Sequence, residues 1–201
     1  DWLTAMGGLG GEQLRVIYVQ AQGRAQTVNQ ASDYARGDYL LLLDTDCVLF
    51  DGQWLNELMA QAQRPEVGVV GPKLLGRDGT VASGALVLGL RGPAGNPFLG
   101  CATQSSYLNR LRLVQNWSAL SLDCLLVRRE LFQELQGLDT KALQHTWFDA
   151  DLCLRARELG YLVVWTPFST VARLSGAKDL HSIDREADQG AFYQRWLPSI
   201  A

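Results

Sequence analysis

A run of five apolar residues followed by two closely spaced acids marks one stretch of the chain: Tyr39-Leu40-Leu41-Leu42-Leu43-Asp44-Thr45-Asp46. A continuous apolar run of this length is typical of a strand that is buried on both faces of a parallel sheet. Asp44 and Asp46 would then lie at the carboxyl edge of the sheet, where open α/β folds bind their ligands. Carboxylates spaced i, i+2 on a turn can share one divalent cation. The ordinary alternative is a helix cap and a solvated turn residue.

Short apolar runs alternate with segments of helical periodicity on both sides of this stretch. This alternation predicts an α/β layer fold with a mixed, mainly parallel sheet flanked by helices. Predicted strands cover residues 15–19, 39–43, 67–72, 80–89, 123–127 and 162–165. Predicted helices cover residues 23–35, 53–62, 129–135, 148–159 and 183–197. We expect one domain over residues 1–201, with a C-terminal helix in the tail at residues 177–201.

The composition excludes several classes of protein. The chain has 201 residues, of which 47% are apolar and 19% charged, which indicates a globular fold and excludes disorder and coiled coil. A net charge of −3 without a cluster of Lys and Arg argues against binding of nucleic acid. The longest apolar run is far shorter than the roughly 20 residues that cross a bilayer, so we expect no transmembrane segment. The four cysteines form no Cys-x-x-Cys pair, which favours reduced thiols and a cytoplasmic location.

A second pair of acids with the same spacing, Asp149 and Asp151, begins the predicted helix at residues 148–159. Acids in a first turn are stabilised by the helix dipole, and Arg155 follows Asp151 at the spacing of a helical ion pair. The alternative is catalytic: Asp149 can act as a general base, with the neighbouring ring of Trp147 as a stacking surface for a sugar. Aromatic rings of this kind are also common in protein cores.

Five blocks of the sequence, taken in order, resemble the family 2 glycosyltransferases. These blocks are Gly23 to Asn29 with Ala35-Arg36-Gly37-Asp38-Tyr39; Leu43-Asp44-Thr45-Asp46; Val67 to Leu75 with Arg77-Asp78-Gly79; Cys124 to Arg129 with Gly137-Leu138-Asp139; and Phe148 to Arg155 with Gly160-Tyr161. A sixth block, Val164-Trp165-Thr166-Pro167-Phe168, is similar to that of bacterial surface-polysaccharide members. The resemblance covers nearly the whole chain and implies a nucleotide-sugar-binding fold of the GT-A type.

The resemblance implies an inverting transfer of a sugar from a nucleoside-diphosphate donor to a hydroxyl acceptor, in cell-surface polysaccharide synthesis. The implied acceptor is a glycan or a lipid-linked sugar, and the implied location is the cytoplasm, including the inner face of the plasma membrane. Carried over residue by residue, Asp149 is the catalytic base. The donor side is implied to contain Asn29, Asp44, Asp46 and Arg173, with Asp46 and Asp44 at a divalent metal, Mg²⁺ or Mn²⁺. The acceptor side is expected to contain Asp123, Trp147 and Asp151.

The sequence departs from the family pattern at several places. Phe148 precedes the implied base, where many members have Glu or Asn, and Leu122-Asp123 replaces residues that are usually small. The His that commonly follows the Trp-Thr-Pro strand is absent from residues 171–175, where Arg173 is a cation that cannot ligate a metal. The family's first βα unit, which forms most of the nucleotide pocket, is not matched. We therefore expect an uncovered sheet edge and self-association through it.

Two alternatives remain open. Residues 40–48 also match the pattern of haloacid-dehalogenase phosphatases, in which Asp44 would be the nucleophile and Asp46 the acid. No Ser or Thr ends the next predicted strand and no Gly-Asp-x-x-x-Asp motif follows, which argues against that class. The other alternative is a non-catalytic glycosyltransferase-like module that binds or assembles within a larger synthase.

Overall fold

The computed structural model describes residues 15–103, 107–175 and 186–199. In chain order its elements are α1 (Arg24–Ser32), β1 (Tyr39–Leu43), β2 (Cys47–Val48), α2 (Trp54–Ala62), β3 (Val67–Leu75), β4 (Val81–Ser83), β5 (Ala85–Leu88), β6 (Ala94–Gly95), β7 (Gln115–Asn116), β8 (Ala119–Leu120), β9 (Cys124–Arg128), α3 (Arg129–Glu134), α4 (Phe148–Glu158), β10 (Leu162–Arg173) and α5 (Glu186–Trp196). Helix α5 lies in the predicted tail, of which residues 177–185, 200 and 201 are outside the described residues. Within the described ranges, every helix is too short or too polar to cross a membrane.

The main sheet has the strand order β1-β9-β3-β10-β2, with β4 paired to β3 and β7 paired to β10. Strand β9 is antiparallel to β1 on one side and to β3 on the other, whereas β3 and β10 are parallel. It follows that β1, β3 and β10 run in the same direction and end at the same edge of the sheet. A second, smaller sheet has the order β6-β5-β8.

Apolar side chains cover both faces of the main sheet, as the alternation along β9 shows. Leu125 and Val127 belong to the larger apolar cluster, which includes side chains of α3, α4 and α5. Cys124 and Leu126 belong to a second cluster, which includes Leu58 of α2. Helices therefore pack on both faces, and the mixed α/β fold predicted from the sequence is confirmed.

Strand pairing differs from the prediction at the outer side of β1. The prediction was a mixed, mainly parallel sheet. Among the described strands, β3 and β10 form the parallel pair, and the other pairs are antiparallel. Strand β1 is the outermost strand, with Leu40 buried and Leu43 exposed. The predicted strand at residues 15–19 has no regular secondary structure. Among the described residues, no strand pairs with the outer edge of β1.

Strand β10 is longer than predicted, because it continues past Trp165 to Arg173. Its register with β3 shifts between Thr166 and Thr170, so that the residues around Pro167 form an irregularity rather than an end to the strand. The extension carries Arg173 to the edge at which β1 also ends.

Candidate active site

Strand ends bring acidic and basic side chains together at one edge of the main sheet. Asp44 follows β1 directly and Asp46 lies two residues further on, while Asp123 directly precedes β9 and Arg173 ends β10. Since β1 and β10 end at this edge and β9 begins there, all four residues share it. The topology thus places the first acidic pair at the carboxyl edge of the sheet, as the sequence predicts.

The side chains at this edge form a continuous network of ion pairs. Arg24 Nη2 lies 2.9 Å from Asp44 Oδ2, and its Nη1 lies 3.3 Å from Asp123 Oδ1. Arg173 Nη1 lies 3.2 Å from Asp123 Oδ2, and its Nη2 lies 3.0 Å from Asp46 Oδ2. The order of charges is therefore Asp44, Arg24, Asp123, Arg173, Asp46. Three carboxylates and two guanidinium groups leave one net negative charge.

Asp123 is the centre of this network and is fully buried. Its carboxylate also accepts a hydrogen bond of 2.6 Å from Ser121 Oγ, and its carbonyl accepts one of 2.8 Å from the Asp44 amide. These contacts occupy the Asp123 side chain, and its expected role at the acceptor stays a prediction. Asp123 holds the two arginines in place. Burial, followed by the charges of Asp123 and Asp46, raises the pKa of Cys47 to about 12, so this cysteine remains a neutral thiol.

The two carboxylate oxygens of Asp46 differ in their hydrogen bonds. Its Oδ2 accepts hydrogen bonds from Arg173 and Ser175, whereas its Oδ1 is buried without a hydrogen-bond partner. Burial acts to raise the pKa of Asp46, but the hydrogen bonds from Ser175 and Arg173 and the charges of Arg173 and Arg24 outweigh it, so the pKa lies below its usual range. Asp46 is therefore ionised at neutral pH.

The donor set at Asp46 fits a Mg²⁺-like cation that takes most of its ligands from a substrate. Within the described residues no group of three or more His, Cys, Asp or Glu side chains converges on a metal position. Mg²⁺ is commonly held by one or two protein carboxylates plus substrate phosphates, so a complete protein cage is not required. The unpartnered Oδ1 of Asp46 is an available ligand of this kind.

Asp149 lies in the first turn of α4 and is 5% exposed. Its Oδ2 accepts a hydrogen bond of 3.2 Å from the Leu122 amide, and the Leu122 carbonyl accepts one of 3.2 Å from Arg24. Residue 122 directly precedes Asp123, so the carboxylate of Asp149 is attached to the turn that carries the centre of the ion-pair network. The turn at residues 122 and 123 thus connects Asp149 to the ion-pair network that includes Asp44 and Asp46.

Asp151 has a different environment and is fully buried. Its Oδ2 lies 2.7 Å from Arg155 Nε, while its Oδ1 lies 2.7 Å from Arg195 Nη1 and accepts a 3.0 Å hydrogen bond from Trp196 Nε1. These partners occupy both oxygens and come from α4 and α5. Asp151 therefore attaches α5 to α4, and its expected role at the acceptor stays a prediction.

Two further predicted site residues have structural positions. Trp147 is 2% exposed and its ring centroid lies 6.5 Å from that of Phe192, so it packs in the core, and its expected role at the acceptor stays a prediction. Asn29 donates to the Leu138 carbonyl and accepts from the Leu138 amide, both at 2.8 Å. A Cβ on Gly137 would lie only 2.5 Å from Asn29 Oδ1, so glycine permits this close approach. Asn29 therefore holds the loop after α3, and its expected role on the donor side stays a prediction.

Arg24 is the site residue that the sequence interpretation missed. It is the first residue of α1, where the positive end of the helix dipole disfavours a cation. An arginine at such a position is a signal of nearby carboxylates, and here Asp44 and Asp123 are those carboxylates. Ser175 was also missed, because its contact with Asp46 depends on the extension of β10.

A groove of about 560 Å³ lies between α1 and β1 and ends at the acidic edge. Small and apolar side chains of α1, among them Val28 and Ala31, form one wall. Arg24, Asp44 and Leu122 line its end. The volume is typical of a small-molecule site.

Solved glycosyltransferases have a similar fold. The mannosyltransferase PcManGT from Pyrobaculum calidifontis, solved in complex with GDP-Man and Mn²⁺, has a TM-score of 0.56 and 16% identity, over 85% of this chain and 42% of that chain. GalNAc-T7, solved with UDP, GalNAc and Mn²⁺, has a TM-score of 0.73 and 14% identity, over 100% of this chain and 40% of that chain. At these identities the likeness establishes the fold, which is of the GT-A glycosyltransferase type.

The sequence then identifies the family. The model of glycosyl transferase family 2 matches residues 6–136, and the chain belongs to this family. The O-antigen biosynthesis protein RfbC of Myxococcus xanthus is 37% identical over 172 residues, and protein y4gI of Sinorhizobium fredii (strain NBRC 101917 / NGR234) is 38% identical over 154 residues. These matches cover 85% and 76% of this chain but only 13% and 17% of the two relatives. Family membership argues against the phosphatase alternative.

Proposed function

We propose that this chain carries the catalytic edge of an inverting glycosyltransferase, which moves a sugar from a nucleoside-diphosphate donor to an acceptor hydroxyl. The observation that carries the proposal is the network of Asp44, Asp46, Arg24 and Arg173 at one sheet edge, with Asp149 attached to the same turn. A leaving diphosphate requires positive charge, and an acceptor hydroxyl requires a carboxylate to take its proton. This edge contains both.

Asp46 is the residue that we expect to hold a divalent cation, Mg²⁺ or Mn²⁺, with Asp44 beside it. The unpartnered Oδ1 of Asp46 supports this assignment, as do the two structural neighbours that were solved with Mn²⁺. When bound, such a cation neutralises the charge that develops on the leaving diphosphate. Arg24 and Arg173 add positive charge of the protein on the same side.

Asp149 is the proposed base. The acceptor hydroxyl attacks the anomeric carbon, its proton passes to Asp149, and the bond from the anomeric carbon to the diphosphate oxygen breaks. Attack on the side opposite the leaving group inverts the configuration of the anomeric carbon. The low exposure of Asp149 favours this role, because it limits competition from water.

The biological setting that we propose is the synthesis of a cell-surface polysaccharide, with a glycan or lipid-linked sugar as acceptor. The similarity to the O-antigen biosynthesis protein RfbC supports this setting. All four cysteines are free thiols, which fits a reducing compartment such as the cytoplasm. Strand β1 has an outer side that no described strand covers, and we propose that copies of the chain can self-associate along it.

Release of nucleoside diphosphate from a panel of nucleoside-diphosphate sugars, with Mn²⁺ and the full-length protein, tests the proposal. We expect Asp46→Asn to lower release by about 100-fold or more. The matched surface variant Asp33→Asn changes only an exposed carboxylate and is expected to leave release within about twofold. NMR of the product is expected to show an inverted anomeric configuration.

The opposite outcomes are equally specific. A wild-type protein that binds nucleotide and metal but releases nothing from any donor would support the non-catalytic binding module. A product with retained configuration would contradict the role of Asp149 as the base of a direct displacement.

A further inference from the structure

Arg173 combines deep burial with two acidic partners. Its side chain is 3% exposed, and its guanidinium group lies 3.0 Å from Asp46 and 3.2 Å from Asp123. Its Nε is buried and has no hydrogen-bond partner. Asp123 is already paired with Arg24, whereas Asp46 has no other ionic partner among the described residues. The position of Arg173 therefore affects Asp46 most strongly.

This position conflicts with the binding of a cation alone at Asp46. A divalent cation on the free Oδ1 would lie a few ångströms from the guanidinium charge that already neutralises Oδ2. Like charges this close repel, and the repulsion is screened weakly where both groups are partly removed from water. A cation without a companion anion is thus opposed by Arg173.

A diphosphate reverses this balance. It carries at least two negative charges, which can pair with the guanidinium group and with the cation at the same time. Arg173 then attracts the diphosphate, and the diphosphate compensates the repulsion between the two positive charges. The exposed Ser175 hydroxyl, which also donates to Asp46, is neutral and has no such effect.

We propose that Arg173 couples cation binding to nucleoside-diphosphate binding: it weakens binding of the cation alone and strengthens binding of the pair. The inference rests on the proposed function, which supplies both ligands. Coupling of this kind is reciprocal, so each ligand raises the affinity for the other by the same factor. The consequence is a site that loads metal together with donor.

Titration of Mn²⁺ into the full-length protein, with free Mn²⁺ measured by electron paramagnetic resonance, tests the coupling. The probes are Mn²⁺ alone and Mn²⁺ with GDP or UDP, corrected for complexes formed without protein. For the wild type we expect Mn²⁺ to bind about tenfold or more tightly with nucleotide, within the usual range of coupled sites. For Arg173→Met we expect Mn²⁺ alone to bind about threefold or more tightly than in the wild type, and the nucleotide effect to fall below about threefold.

Further variants serve as controls for Arg173→Met. Arg173→Gln also removes the charge and covers the case in which Arg173→Met fails to fold, whereas Arg173→Lys retains the charge and is expected to retain most of the coupling. Arg64→Met removes an exposed arginine that pairs with Glu66, and is expected to behave as the wild type. Coupling in Arg173→Met equal to that of the wild type would overturn the inference while leaving the proposed function intact. Absence of Mn²⁺ binding in the wild type, with or without nucleotide, would overturn both.

Discussion

The two acidic pairs of this chain, Asp44 with Asp46 and Asp149 with Asp151, have the same spacing and opposite surroundings. The side chains of the first pair are 27% and 26% exposed, and each meets an arginine from another element. Those of the second pair are 5% and 0% exposed in the first turn of a helix. Residues two apart on a helix point to different sides, so Asp149 reaches the site while Asp151 reaches α5. The element that carries a motif therefore decides its role more than the spacing does.

The largest effect expected from this comparison is on turnover. Asp149→Asn keeps a side-chain oxygen that can accept from the Leu122 amide but removes the proposed base. We expect kcat to fall by about 10² to 10⁴ while the donor KM stays within about threefold, because a general base acts in the transition state. Steady-state kinetics of the full-length protein measures both. Turnover within a few-fold of wild type would remove Asp149 from the mechanism.

The other member of the helical pair is expected to affect stability. Asp151→Asn leaves Arg155 without its buried counter-charge and Arg195 with Asp139 alone, which we expect to lower the free energy of unfolding by about 3 kcal/mol. Urea denaturation measures the change, with Asp149→Asn as the matched carboxylate-to-amide control, expected within about 1 kcal/mol. Equal losses of stability for the two variants would show that Asp149 and Asp151 do not have different roles.

Comparison of the strand before Asp44 with the surroundings of Asp151 shows which features the sequence can predict. The apolar run before Asp44 predicts β1 and the edge at which it ends, since both depend on local pattern. The expected burial of this strand on both faces of a parallel sheet was wrong, because β1 is antiparallel to β9 and Leu40 is its one buried residue. The role of Asp151 depends on Arg195 and Trp196, which are 44 and 45 residues away, and no local pattern indicates them. Local spacing with Arg155 suggested an ion pair but not its burial.

Pairing direction and strand length were harder to predict for a similar reason. Antiparallel placement of β9 between β1 and β3 follows from the whole topology, not from its own apolar residues. Pro167 made an end to β10 after Trp165 plausible, yet the strand resumes beyond the irregularity and carries Arg173 to the site. The strand predicted at residues 15–19 did not form, although no described strand pairs with the outer edge of β1.

A smaller effect sharpens the role of α5 in supporting the helical pair. Asp188 is buried and accepts hydrogen bonds from the backbone amides of His145 and Thr146 at 2.7 and 2.8 Å. Asp188→Ala would leave two amides unpaired, and we expect a loss of about 2 kcal/mol in the free energy of unfolding. Glu186→Ala, at an exposed position of the same helix, is the control and is expected to change the free energy by less than about 0.5 kcal/mol. A loss of stability for Asp188→Ala no larger than that of the control would show that this contact of α5 does not stabilise the fold.

The smallest expected effect is the pH dependence of the first pair. Because the pKa of Asp46 is lowered in the folded state, its ionised form stabilises the fold above its unfolded pKa of about 3.9, and this stabilisation is lost as pH falls through the lower folded pKa. The free-energy difference between wild type and Asp46→Asn is therefore expected to be constant near neutral pH and to shrink below about pH 4, with an amplitude under about 1 kcal/mol. Urea denaturation across this pH range measures it. A free-energy difference that grows on acidification would contradict a stabilising ion pair at Asp46.

The proposed catalytic centre combines a metal at Asp46 with a base at Asp149. Anomalous scattering from Mn²⁺, in crystals of the full-length protein grown with Mn²⁺ and GDP or UDP, tests it most directly. We expect a manganese peak in direct coordination to Asp46, in a cavity that Asp149 also faces. A nucleotide-bound manganese on other residues, or on the opposite face of the sheet from Asp149, would contradict it.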